Sequence, residues 1–367
     1  MSSEPVAPVV PGARAAPPRT VLVVDDSAFM RRMVSDLIAA DPRFRVVGVA
    51  RDGRAALAAV HRLDPDIVTM DVEMPTLDGL AALGYIMSEA PRPVVMLSAA
   101  GAGGGADLTL RALELGAVDF VRKPSGPISL DLERVRERLF AALEAASCVN
   151  LRGVPMLARP PVPGSAVARP PRPAHAAVVV AASTGGPRAL AELIPHLAAT
   201  LDAAVLVAQH MPRGFTRSLA ERLDGMSALR VSEAVHGEPI ERDHVYIAPG
   251  GSHLVVALEA GVPVARLDDG PPLWGVRPSA DPLFRSAAAA FGRQTVGVVL
   301  TGMGRDGADG LQAVRAAGGL ALVQDEASAI VFGMPRAALA QGGADQVVPL
   351  HDMARAVTAA LAARPLP

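Results

Sequence analysis

The sequence predicts an α/β chain made of two doubly wound units, each on a parallel or mostly parallel sheet, and three observations carry that prediction. From Thr20 onward, five apolar strand-like runs alternate with helix-like segments, the pattern of a five-stranded parallel sheet covered on both faces. Over residues 150–174 the pattern gives way to Pro, Arg, Ala and Gly, with R-P-P-V-P-G and R-P-P-R-P, which cannot bury a core. Beyond that stretch, buried-strand runs return, and three of them lead straight into Ser183, His210 and the segment holding Asp306. The expected layout is a disordered tail over residues 1–19, a first domain over 20–147, a Pro/Arg-rich linker over 148–174 and a second, mostly parallel α/β domain over 175–364.

In the first domain the expected strands are 21–24, 45–50, 67–70, 94–97 and 118–121, and the expected helices 28–39, 54–63, 80–88, 108–115 and 130–146. Ligands of such sheets gather at the carboxyl ends of the strands. There stand Asp25 and Asp26 after the first strand, Asp71 after the third, Ser98 after the fourth and Lys123 after the fifth. Any one aspartate at a strand end could simply cap a helix, but clustered carboxylates repel one another unless a cation sits among them. Oxygen ligands with room for water and a phosphoryl group suit Mg²⁺. Lys123 adds to the case, because it is the only lysine among 35 Lys plus Arg, and a position that keeps an ammonium needs a point charge rather than a fork. The loop over residues 101–105 is glycine-rich without the Gly-Lys-Ser/Thr of a phosphate cradle and reads as a flexible turn.

Composition narrows the remaining choices. At 367 residues the chain has room for two cores, and 50% hydrophobic with 20% charged residues describes an ordinary soluble protein. A net charge of -2 leaves no electrostatic footprint for nucleic acid, and no helix-turn-helix pattern accompanies the linker arginines. The single cysteine, Cys148, rules out an internal disulfide framework and suits a reducing cytosol. No apolar run approaches the roughly 20 residues of a membrane helix, and prolines break the weakly apolar start, so neither insertion nor a secretory signal is expected.

The second domain opens with A-A-V-V-V-A-A-S-T-G-G-P-R-A-L over residues 176–190, which reads as a buried strand, a tight turn and a helix N-terminus. Such a turn lifts a hydroxyl to the sheet edge and aims free N–H groups at a developing anion, as acyl transfer requires. Ser183 and Thr184 could equally be plain helix caps, and Ala181 stands where a G-x-S-x-G elbow has its first glycine. A second strand over 203–208 ends in Q-H-M-P with His210. A third over 296–300 ends in T-G-M-G-R-D-G, with Asp306 ahead of a helix from about Leu311. If these strands are parallel neighbours, a hydroxyl, an imidazole able to take its proton and a carboxylate able to orient that imidazole emerge together. The same glycines spell G-x-G-x-x-G with Asp325 downstream. A dinucleotide site is disfavoured there because Asp306 would face the pyrophosphate and the motif closes its domain rather than opening it.

Two sets of motifs carry a family resemblance. D-D-S-A from Asp25, M-D-V-E-M-P-x-x-D-G from Met70, S-A-A from Ser98 and D-F-V-R-K-P from Asp119 resemble a response-regulator receiver domain. That resemblance implies phosphorylation of Asp71 by a sensor histidine kinase, Mg²⁺ held by Asp25, Asp26 and Asp71, phosphoryl contacts from Ser98 and Lys123, and an aromatic switch at Phe120. S-T-G-G, Q-H-M-P and T-G-M-G-R-D-G, behind a receiver and a linker, resemble the CheB-type chemotaxis protein-glutamate methylesterases. This resemblance implies a cytoplasmic serine hydrolase with Ser183 as nucleophile, His210 as base and Asp306 as orienting carboxylate. Its substrates would be methylated glutamates, and glutamines, of chemoreceptors, and no cofactor is expected in the esterase domain. The candidates for oxyanion and substrate contacts are Thr184, Met303, and Arg277 and Ser279 of W-G-V-R-P-S-A-D, a segment whose Trp274 fits a core position equally well. The alternative is a phosphorylation-dependent binding module whose hydrolase-like domain is inert.

Overall fold

A computed structural model describes residues 17–98, 105–123, 129–149 and 170–363. The expectations for most of the N-terminal tail, residues 101–104 of the glycine-rich loop and most of the linker lie outside these residues. The first unit runs β1 (Arg19–Val24), α1 (Ala28–Ala39), β2 (Phe44–Ala50), α2 (Gly53–Leu63), β3 (Ile67–Asp71), α3 (Gly79–Glu89), β4 (Val94–Ser98), α4 (Gly105–Glu114), β5 (Asp119–Arg122) and α5 (Ser129–Ser147). Its strands pair in parallel in the order β2-β1-β3-β4-β5. Local chemistry starts the helices, since Ser27, Asp52 and Asp78 accept from the N–H groups of Met30, Ala55 and Ala81 as N-caps. Alternation along β1 then sorts the core: Val21 and Val23 pack with Val34, Ile38, Leu139 and Leu143 of α1 and α5. Leu22 and Val24 face Ala56, Leu83 and Leu110 of α2, α3 and α4.

The second unit continues with β6 (Ala177–Ala182), α6 (Gly186–Leu193), β7 (Ala204–Gln209), α7 (Phe215–Asp224), β8 (Arg230–Glu233), β9 (His244–Ile247), β10 (His253–Glu259) and β11 (Val262–Asp268). It closes with α8 (Ala280–Phe291), β12 (Thr295–Val299), α9 (Ala308–Ala316), β13 (Leu320–Gln324), α10 (Gly333–Ala340), β14 (Gln346–Val348) and α11 (Leu350–Ala362). Seven strands form one all-parallel sheet in the order β14-β13-β12-β6-β7-β9-β8, while β10 and β11 make a separate antiparallel hairpin. The strand expected to carry the serine is therefore central, flanked by those that lead to His210 and Asp306. Val178 and Val180 pack toward α6, α7 and α11, and Ala177, Val179 and Ala181 toward α8, α9 and α10.

The two units touch through α4, β5 and α5 of the first. The Phe120 ring lies 4.5 Å from that of Phe215 at the start of α7, and Glu114 pairs with Arg222 on the same helix. Ala145 and Val149, at the end of α5, pack on Ile330, Val331 and Met303.

Candidate functional site

The carboxyl edge of the first sheet gathers Asp25, Asp26 and Asp71, with one carboxylate oxygen of each within 4.8 Å of the others. Lys123 Nζ is 2.7 Å from both Asp25 Oδ2 and Asp71 Oδ2, which explains why a compact ammonium occupies this position. Burial pushes the Asp71 carboxyl above its ordinary range. Lys123 works against that effect, and the neighbouring Asp25 charge adds to it. Three carboxylates against one ammonium leave two negative charges uncompensated, so the oxygen-only donor set fits a hard divalent cation. Ser98 is buried beside this edge, where Thr109 Oγ1 donates to its hydroxyl at 3.1 Å. Phe120 is buried against Phe215.

At the carboxyl edge of the second sheet, parallel register decides the geometry. Ala182 is opposite Gln209, so Ser183 and His210 leave adjacent strands at the same level, and the His210 N–H donates to Ala182 O at 3.0 Å. Ser183 N–H donates to Thr301 O at 3.0 Å, which ties the turn to the loop after β12. Helix α6 is capped by Gly185 with φ 77°, and neither Ser183 nor Thr184 caps it with a side chain. The reading of these residues as plain caps therefore fails. His210 Nε2 is 2.7 Å from Asp306 Oδ2, and the pair is almost fully buried. If Nε2 carries the proton and donates to that carboxylate, Nδ1 is the ring's acceptor, and His210 lines the same cleft as Ser183. Among the described residues no hydrogen bond joins the Ser183 hydroxyl to His210 in this state.

Asp306 is saturated with donors. Besides His210, its Oδ2 accepts from Ala280 N at 2.6 Å, and its Oδ1 accepts from Ser279 Oγ at 2.6 Å, Gly307 N at 3.0 Å and Asp281 N at 3.1 Å. Burial alone would raise this carboxyl, but the hydrogen bond and charge of His210, with those of Ser279 and Ala280, hold it below its ordinary range. The placement corrects one expectation. Ser279 is 0% exposed and donates to Asp306 from behind, so it orients the carboxylate rather than meeting a substrate. Arg277 turns its guanidinium to the carbonyls of Asp269 and Gly270, both at 2.7 Å. Trp274 is not core, being 51% exposed, with its indole N–H donated to Asp281 Oδ2 at 2.8 Å and Arg305 stacked 4.4 Å from its ring centroid.

Two N–H groups that could hold an oxyanion, those of Thr184 and Met303, meet no acceptor among the described residues. Gly302 brings the Met303 peptide against the serine, since a Cβ there would fall 2.8 Å from Ser183 Cβ and 2.3 Å from Met334 Sδ. Sequence reasoning passed over Asp119, Asp281 and His253. Asp281 caps α9 through Gly307 N and Gly310 N. His253 Nδ1 accepts from Ser279 N at 3.0 Å and so holds the orienting serine. Asp119 comes from the first unit: its Oδ2 accepts from Thr184 Oγ1 at 3.1 Å and its Oδ1 from Arg138 at 2.7 Å. Asp119, Phe120 and Arg138 thus form one wall of the cleft whose other wall holds Ser183, Thr184 and His210. Its place in D-F-V-R-K-P, one residue before Phe120, was the available signal.

Fold and site together describe a two-unit α/β protein in which β5 and α5 of the first unit pack beside the edge that gathers Ser183, His210 and Asp306. A family model described as CheB methylesterase matches residues 178–357, and one described as response regulator receiver domain matches residues 21–133. A protein-glutamate methylesterase/protein-glutamine glutaminase of Pyrococcus horikoshii is 47% identical over 346 residues, covering 93% of this chain and 93% of that protein. One of the same name from Symbiobacterium thermophilum is 46% identical over 356 residues, covering 94% and 97%. The crystal structure of the Thermotoga maritima CheB methylesterase catalytic domain aligns at 41% identity with a TM-score of 0.49, covering 50% of this chain and 97% of that one. The chain belongs to the family of protein-glutamate methylesterases/protein-glutamine glutaminases.

Proposed function

We propose that the chain is a phosphorylation-regulated protein-glutamate methylesterase that also deamidates protein glutamine, acting on methylated chemoreceptors in chemotaxis adaptation. The observation that carries the reading is the convergence of Ser183, His210 and Asp306 at one sheet edge, beside two unengaged N–H groups. Ser183 Oγ attacks the ester carbonyl carbon while His210 Nδ1 takes its proton. Asp306, kept anionic by its donors, holds the ring and stabilises the imidazolium. The oxyanion is received by Thr184 N–H and Met303 N–H, and collapse expels methanol, or ammonia from glutamine, with the proton returned by His210. Water activated by the same imidazole then releases the glutamate carboxylate.

Control comes from the first unit. The contacts of Asp119 and Phe120 along the cleft support a receiver that occludes the esterase in its unphosphorylated state. Asp25, Asp26 and Asp71 would hold Mg²⁺, which neutralises phosphoryl oxygens when a histidine kinase supplies phosphate to Asp71. Lys123 pairs with those oxygens, and Ser98 and Phe120 relay the change. The cytoplasm is the proposed site of action, and no described helix is long and apolar enough to cross a membrane. Labelling by a serine-directed phosphonate tests the assignment. The phosphonate should react faster after treatment with a small acyl phosphate and Mg²⁺, and Ser183→Ala should abolish both labelling and methanol release from a glutamyl methyl ester. An enzyme that keeps its esterase activity in Ser183→Ala has a different nucleophile, and one that hydrolyses no ester at all carries an inert hydrolase-like domain.

A further inference from the structure

Gln209, the last residue of β7, is 1% exposed and has no part in the proton transfers described above. Its carboxamide is committed on one side only. Nε2 donates to Ser183 O at 3.0 Å and to His210 O at 3.2 Å, bridging the main chain of the candidate nucleophile to that of its base. Oε1 is buried with no hydrogen-bond partner among the described residues. Both acceptors of Nε2 are carbonyls, so the amide cannot be turned over without setting an oxygen against two oxygens. The turn accommodates it because residue 186 is glycine: a Cβ there would lie 1.9 Å from Gln209 Oε1.

Most buried side-chain polar atoms have at least one hydrogen-bond partner. Gln209 spends both donor hydrogens on two catalytic peptides and leaves its acceptor unpaired, a poor arrangement for the fold and a good one for registering two side chains. We propose that Gln209 is a positioning residue, which clamps the Ser183 peptide to the His210 peptide so that Oγ and Nδ1 meet at transfer distance. The inference rests on the reading of Ser183 and His210 as nucleophile and base. The last backbone bond between these strands runs from His210 N–H to Ala182 O, and the Ser183 N–H turns instead to Thr301 O, so the clamp is what carries the β6–β7 register one residue further, to Ser183. A misplacement of about an ångström at such a pair costs about a hundredfold in rate.

The test uses the full chain treated with an acyl phosphate and Mg²⁺, with two readouts: kcat and KM for a glutamyl methyl ester, and the rate at which a phosphonate labels Ser183. The second needs no receptor substrate, so it still measures the clamp if the proposed esterase reaction fails with the native protein. Gln209→Met, which removes donors and acceptor alike, should lower kcat and the labelling rate at least tenfold, with KM within about threefold and Tm within about 4 °C of the native chain. Gln209→Glu supplies the converse. Its buried carboxyl has a raised pKa, and only its protonated form can donate to one of the two carbonyls. The labelling rate of Gln209→Glu relative to Gln209→Met should therefore climb severalfold between pH 8 and pH 6. A Met variant that labels at the native rate overturns the proposal, as does a Glu-to-Met ratio that stays flat with pH. A rate loss matched by a fall in Tm of 10 °C or more would make Gln209 a structural residue and overturn it too.

Discussion

Asp306 is held by four donors besides the imidazole, and the one that is a side chain can be removed without touching the reacting atoms. Ser279→Ala is expected to lower kcat by about tenfold with little effect on KM, in line with a charged hydrogen bond of about 1.5 kcal/mol. Asp306→Asn, which also disturbs the tautomer of His210, should cost more, and Ser183→Ala the most; initial rates of methanol release rank the three. The sign of the pH effect follows from the depressed carboxyl. Its contribution to stability is complete above the unfolded value, near pH 4, and is lost as pH falls through the lower folded value. At this scale the sequence was legible wherever a residue type is scarce or a motif specific. The lone Lys123 announced an ammonium site, Ser183 and His210 each directly followed a buried strand, and Asp306 stood in the glycine-rich segment after a third. Ser279 was misread because its motif lies near the site, and nothing in one dimension tells whether a serine stands before or behind a carboxylate.

Strand and helix positions were legible because the apolar runs are long and the caps explicit; every expected element of the first unit overlaps an observed one. The outer part of the second sheet was harder to read, since β8 and β9 are only four residues each and β9 buries polar side chains. His244 is one of these. Its Nε2 is 2.8 Å from Ser232 Oγ, its ring lies 4.0 Å from Tyr246, and Nδ1 has no partner among the described residues. Burial, with the charge of Arg230, lowers its pKa to about 3. A histidine kept neutral in the fold is protonated more readily in the unfolded chain, so stability falls as pH drops from about 6.5 toward about 3. The full shift corresponds to several kcal/mol at about 1.4 kcal/mol per unit. Urea unfolding at pH 7 and pH 5 should therefore show a smaller loss of stability on acidification in His244→Gln than in the native chain; equal losses would count against the buried neutral histidine.

Between the units, a polar contact (Thr184 to Asp119), an aromatic one (Phe120 to Phe215) and an ion pair (Arg222 to Glu114) lie on one continuous surface. The linker composition foretold tethering but not this face, because contacts between α4 and α7 join residues more than 100 positions apart. The ion pair offers a clean test of the occluding arrangement, being about a quarter exposed and formed by residues that do not line the cleft. Arg222→Glu and Glu114→Arg are each expected to raise unphosphorylated esterase activity severalfold, as about 1 kcal/mol of pairing is replaced by like-charge repulsion. The double reversal should bring the rate back toward native. A double variant as active as the singles would mean that the pair does not hold the units together. A separate consequence follows from β6 lying between β12 and β7. Strand spacing, about 4.8 Å between neighbours, sets Ser183 beside His210, while Asp306 reaches the imidazole from the loop after β12. The outer strands β8 and β14 carry none of these three groups and can lengthen, shorten or change composition without moving them. That leaves those edges of the sheet free to be reshaped while the centre stays fixed.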